Sequence, residues 1–159
     1  MNTIKDDVLQ VVGDELKSLR ERIIANHEAA GQVASGRTRA SIKVELTEDG
    51  GILLGRQAFS ILETGRKPGK VPKGFYQTIR QWVDDKGISV PKPDSFAYLV
   101  ARKIAREGTM MYRTGQKKDI YSTDMEKTIH EIEKRVLGIF DTEVEHINLN
   151  FSKDEDIDI

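Results

Sequence analysis

Ala34-Ser35-Gly36-Arg37-Thr38-Arg39-Ala40-Ser41-Ile42, answered by Leu62-Glu63-Thr64-Gly65-Arg66, frames the middle of this chain. Each stretch is a glycine-broken turn that carries arginine. Between them Ser41–Thr47 alternates: Ile42, Val44 and Leu46 fall on one face, Lys43 and Glu45 on the other. That is the period of a half-buried strand. Glu48-Asp49-Gly50-Gly51 is a turn signal, because Asp-Gly and Gly-Gly tolerate positive φ. Ile52-Leu53-Leu54 then returns as the second strand. Ala58–Glu63 fits a third strand or a short helical turn, since Ala58, Ile61 and Leu62 share a helical face. The framed unit reads as a β-hairpin between two turns.

Helices are expected on both sides of it. Upstream, Val8, Leu9, Val12, Leu16, Leu19, Ile23 and Ile24 follow helical spacing, which predicts a helix over 2–30. Thr3 with Asp6 suits its cap, and Gly31 its stop. Downstream, 65–74 is a loop rich in Gly, Pro and Lys. Phe75, Ile79, Trp82 and Val83 mark a short amphipathic helix to about Lys86. Val90-Pro91-Lys92-Pro93 reads as an extended linker. Asp94 or Ser95 is expected to cap a helix to Glu107, with Phe96, Val100 and Ile104 inward. The stretch 109–118 reads as irregular or a short strand. Thr123-Asp124-Met125-Glu126 has the capping-box pattern and predicts a helix to about Glu145. Ile129, Ile132, Val136, Ile139, Phe140 and Val144 form its apolar face. Ile147–Phe151 alternates and suggests a late strand. The fold class is α+β: a long N-terminal helix, a small antiparallel sheet built on the hairpin, then two short helices and a long C-terminal helix packed on the sheet. The chain divides into one domain over 1–151 and an acidic, flexible tail over 152–159.

Charge is distributed unevenly. The net charge of 159 residues is −1. Residues 1–55 carry 7 Lys/Arg against 9 Asp/Glu, or −2; residues 56–118 carry 14 against 5, or +9; residues 119–159 carry 4 against 12, or −8. A basic middle suggests nucleic acid. The matching acidic end makes contact between copies at least as plausible. The absence of cysteine excludes disulfides and thiolate metal sites. No signal peptide or spanning segment is read from the sequence, so synthesis and folding in the cytosol are expected.

Gly65-Arg66-Lys67-Pro68-Gly69-Lys70-Val71 falls short of a phosphate loop: three residues separate its glycines and Val71 follows the lysine. The three histidines, His27, His130 and His146, form no metal-binding motif. Gly-x-Ser-x-Gly is absent. The expectation is no enzyme, no cofactor and no metal. Trp82 reads as core packing of a short helix in preference to an interface anchor. Met110-Met111-Tyr112 reads equally as a contact patch or an internal one. Arg66, Lys67, Lys70, Lys73, Arg102, Lys103 and Arg106 are placed to track phosphates, but the aromatic interleaving of single-strand binders is missing.

The order helix, Gly-Arg turn, hairpin, Glu-x-Gly turn, three helices resembles the tail-component, or tail-completion, proteins of long-tailed bacteriophages. Ser35-Gly36-Arg37-x-Arg39-x-Ser41-Ile42 resembles the family's lead into its first strand. Ala58-Phe59-x-x-Leu62-Glu63-x-Gly65 resembles the segment after the hairpin. Ile79–Ile88, with its Trp82 and Lys86-Gly87-Ile88, and Phe96–Ile104 with Gly108, resemble the helices that follow. Met110-Met111-Tyr112 stands where the family usually shows Pro-Phe. The resemblance covers about residues 1–145. It implies a structural virion protein forming a six- or twelvefold ring in the phage neck or tail. Such a ring joins the portal and head-completion proteins to the tail tube or tail terminator, and DNA passes through without sequence-specific contacts. The alternative is a small nucleic-acid-binding protein using the basic 56–118 region. The candidate subunit- or partner-interface residues are Arg37, Arg39, Glu63, Arg66, Lys67, Lys70, Lys73, Met110, Met111 and Tyr112.

Overall fold

The computed structural model describes residues 3–154. The fold is α+β and mostly helical. Helix α1 (Ile4–Ala29) opens on a capping box, in which the Thr3 hydroxyl accepts the Asp6 N–H at 3.2 Å and the Asp6 carboxylate accepts the Thr3 N–H at 2.9 Å. One turn of helix, α2 (Arg37–Ala40), leads into strands β1 (Lys43–Thr47) and β2 (Gly50–Leu54). They pair antiparallel from Lys43↔Leu54 to Thr47↔Gly50, which leaves Glu48 and Asp49 as a two-residue turn. A 3-10 turn, Gln57–Ile61, follows; this settles 58–63 as helical rather than a third strand.

The hairpin lies along α1. Gly51 comes so close that a methyl group there would sit 2.5 Å from the Leu16 side chain and 3.0 Å from that of Val12. The Arg20 Nε–H donates to the Ile42 carbonyl at 2.8 Å and holds the hairpin's entry. Helix α6 (Ser122–Asp154) runs antiparallel to α1. Their register is fixed by Asn26 Nδ2–H to the Asp124 carboxylate (2.7 Å), Arg22 Nη2–H to the Thr128 hydroxyl (2.5 Å) and Arg135 Nη1–H to the Glu15 carboxylate (2.7 Å). The main core forms where these elements meet: Leu19 and Ile23 of α1, Ile42 before β1, and Ile120 before α6, with Leu53, Phe59 and Tyr121 around them. Burying such side chains contributes about 1.5–3 kcal/mol each.

A second, smaller core joins α3 (Phe75–Asp85) to α4 (Pro93–Glu107). Ile79 meets Ala97 and Ala101, whose small side chains let the helices approach. The two cores are tied by polar links: Lys86 Nζ donates to the carbonyls of Gly31 (3.0 Å) and Val33 (2.7 Å), and Arg37 pairs with Asp85 at 3.4 Å. The helices thus pack on helices, and the sheet's partner is α1.

Helix α4 begins at Pro93, which suits a first turn because its missing N–H has no partner to lose, so Asp94 and Ser95 lie inside the helix. Residues 110–114 form a one-turn helix, α5 (Met110–Thr114), in place of an irregular segment or strand. Trp82 is 38 % exposed. The buried face of α3 belongs to Ile79 and Val83, and Trp82 stands one residue, about 100°, round the helix from Val83. Residues 147–151 continue α6 instead of forming a strand. Extending an existing helix costs little, whereas a strand needs a neighbour to pair with. The expected tail also joins the helix at 152–154, and 155–159 lie outside the described residues. Among the described residues, no helix is long and apolar enough to cross a membrane.

Candidate functional site

The ten candidate interface residues do not converge on one surface. Arg37 and Arg39 work inside the chain: Arg37 reaches Asp85 at the end of α3, and Arg39 pairs with Glu28 of α1. They pin the Gly36 turn between two helices. Arg66 is also internal. Its backbone N–H and carbonyl bond Thr109, its guanidinium donates to the Lys70 carbonyl at 2.8 Å, and its charge lies over the Phe75 ring at 5.4 Å.

Glu63 is the most constrained of the ten, at 8 % exposure. Its Oε1 accepts the backbone N–H groups of Ile120 (3.0 Å), Tyr121 (2.7 Å) and Ser122 (2.8 Å), and its Oε2 accepts the Ser122 hydroxyl at 2.5 Å. The carboxylate caps α6 from across the fold, meeting both the unpaired N–H groups and the positive end of the helix. Burial alone pushes the Glu63 pKa up. The Ser122 hydroxyl and the three N–H groups outweigh it and hold the carboxyl below the ordinary value. The capping role expected of Thr123 is filled by Glu63 and by Asp119, whose carboxylate accepts the Thr123 N–H at 3.2 Å.

Gly65 explains why the Glu-x-Gly turn needs glycine. Its φ is +75°, and a Cβ there would lie 2.4 Å from the Thr109 hydroxyl and 2.8 Å from the Tyr112 nitrogen. The turn is pressed against α5, which leaves Met110 exposed and Met111 half-buried. Lys67, Lys70 and Lys73 are exposed and have no counter-ion among the described residues. The loop that carries them is held to α4 by the Gly69 N–H, which donates to the Ala105 carbonyl at 2.9 Å. The loop therefore sits against the C-terminal end of α4.

An apolar concavity lies elsewhere. A groove of about 750 Å³ runs between β2 and α6, floored by Leu16 and Leu19 of α1. Ile52 and Leu54 form one wall, Met125, Ile129 and Ile132 the other, and Phe59 and Tyr121, stacked at 5.0 Å, stand among its lining. Ile52, Leu54, Met125 and Ile129 are all exposed. Among the described residues β1 and β2 pair only with each other, so each strand also keeps an unpaired edge. Such a surface suits an apolar polypeptide segment far better than a polar small molecule. Two sequence signals pointed to it. Ile52-Leu53-Leu54 is apolar on both faces of a strand, and the apolar stripe of α6 is wider than one helix covers.

His27 is a deeply buried histidine, 3 % exposed, and its Nδ1 has no hydrogen-bond partner among the described residues. Burial lowers its pKa, and Lys86 and Arg39 act in the same direction against Glu28. Among the described residues no group of three or more His, Asp or Glu side chains is placed to hold a metal ion. No family model, curated protein or solved structure matches this chain.

Proposed function

We propose that this chain is a structural subunit of a ring in the neck or tail of a long-tailed phage, joining head to tail around a channel that DNA traverses. One observation carries the reading: the open apolar groove between β2 and α6, flanked by an unpaired strand edge. An isolated chain gains nothing by leaving Ile52, Leu54, Met125 and Ile129 in water, whereas a subunit gains by covering them with a neighbour. The segregation of +9 in residues 56–118 from −8 in residues 119–159 supports a head-to-tail contact, the type that closes a ring. The portal, head-completion, tail-tube and tail-terminator proteins are the partners in this reading, and the virion its location.

Sedimentation and electron microscopy of the purified protein test it. The expected result is discrete oligomers with a central hole, weakened by Ile129→Glu. A single-chain mass at every concentration would overturn it. The unpaired Lys67, Lys70 and Lys73 favour a second reading, a nucleic-acid-binding protein. That reading requires the lone chain to bind DNA with an affinity falling steeply with salt.

A further inference from the structure

We infer that the outward face of α4 in one copy docks on the far half of α6 in the next copy. The inference rests on the ring-subunit reading and names its contact.

Helix α6 has 33 residues and α1 has 26, so they measure about 50 Å and about 39 Å. With Asn26 opposite Asp124 and Glu15 opposite Arg135, α1 begins opposite residue 146 or so, and α6 continues beyond it to Asp154. Over this far half α1 covers only one side. Leu137, Phe140, Val144 and Ile147 recur at spacings of 3, 4 and 3 on the other side and stay 62 %, 48 %, 55 % and 56 % exposed. Four apolar residues on one helical stripe form a seam for another helix. Asp141 and Glu145 flank it, both exposed and without a cationic partner among the described residues.

Helix α4 presents the complement. Ala97 and Ala101 face α3, which turns Tyr98 and Leu99 outward, at 56 % and 62 % exposure. Arg102 and Lys103 stand beside them with no ion pair among the described residues. One face is apolar and acidic, the other apolar and basic. Among the described residues α6 packs chiefly on α1 and α4 on α3, and the exposures above leave both faces open. Because the two faces differ, each copy offers one to either neighbour, and the contact repeats around a ring without being self-complementary. The charges fix the direction of the pairing, and the apolar stripe supplies the area. A second copy is the occupant because one sequence carries both halves of the match.

The chain has no cysteine, so engineered thiols report cleanly. Leu99 and Phe140 are 62 % and 48 % exposed, so neither is a core position, and circular dichroism checks that the variants keep their helices. Oxidised Leu99→Cys/Phe140→Cys protein is expected to give a ladder of covalent multiples on denaturing gels. Each single variant alone stays at the single-chain mass, and mixing the two singles gives covalent dimers. Arg102→Glu/Lys103→Glu is expected to weaken self-association about a hundredfold. Mixing it with Asp141→Lys/Glu145→Lys restores assembly, because each junction then pairs opposite charges. If the unmodified protein self-associates but the double-cysteine variant gives no ladder, the contact lies elsewhere; the inference falls and the ring-subunit reading stands. A protein that never self-associates overturns both. If Arg102→Glu/Lys103→Glu abolishes DNA retention but leaves the oligomer mass unchanged, α4 is a nucleic-acid face and the inference is wrong.

Discussion

Replacing Glu63 by alanine tests how the two ends of the fold are held together. Three N–H groups and one hydroxyl at the start of α6 converge on its carboxylate, which is nearly closed to water. A lost helix cap costs about 0.5–2 kcal/mol. Each buried donor left without a partner costs about 1–3 kcal/mol, and water entering the vacated space recovers part of that. The expected loss is therefore about 3 kcal/mol, a large share of the stability of a domain this size. Ser122→Ala removes one hydroxyl donor and should cost about 1 kcal/mol. Urea unfolding followed by circular dichroism reads both. The pH dependence gives an independent check. The folded Glu63 pKa lies below the ordinary value of about 4.3, so its stabilisation is full above that pH. It is lost as pH falls through the folded pKa, and the gap between wild type and Glu63→Ala should close in that window. A variant less than about 0.5 kcal/mol weaker than wild type at neutral pH would refute the capping role, since such a change is typical of an ordinary surface residue.

Other outcomes follow from the same geometry. Gly65→Ala should cost more than about 1 kcal/mol, because the new methyl meets Thr109 and Tyr112 at a positive φ; unchanged thermal melting would contradict this. Ile23→Ala, at a fully buried position, should lose about 2–5 kcal/mol in the same urea assay. His27 has its pKa lowered on folding, so its contribution is full above about 6.5 and is lost as pH falls from there through the folded pKa. His27→Leu should flatten stability over that range, and an unaltered pH slope would exclude His27 as its source. Ile129→Glu alters a half-exposed wall of the groove, so it should weaken self-association while shifting stability by less than about 1 kcal/mol.

Much of the fold was legible in the sequence because the signals were local. The stripe Leu16-Leu19-Ile23 marks α1, and the Glu48–Gly51 turn signal marks the hairpin, although Gly50 and Gly51 pair within β2 and neither has a positive φ. Elements whose form depends on distant partners were not. The start of α6 is capped by Glu63, some sixty residues earlier, so the local Thr123 pattern misled. The alternation at Ile147–Phe151 describes a strand only when another strand lies beside it, and none does among the described residues. The interface residues were drawn from charge and turn motifs. Arg37, Arg39, Glu63 and Arg66 all find partners inside the chain, because a charge near a glycine turn is equally useful there. The groove was missed because it is assembled from β2 and α6, about seventy residues apart. Only the excess apolar width of both elements hinted at it.

The most direct test of the central claim is the mass of the purified full chain in solution by light scattering, across concentration and salt, with and without DNA. Discrete oligomers that dissociate with salt and ignore DNA are the predicted result. A single-chain mass at every concentration, with tight DNA binding at low salt, would contradict the ring-subunit account.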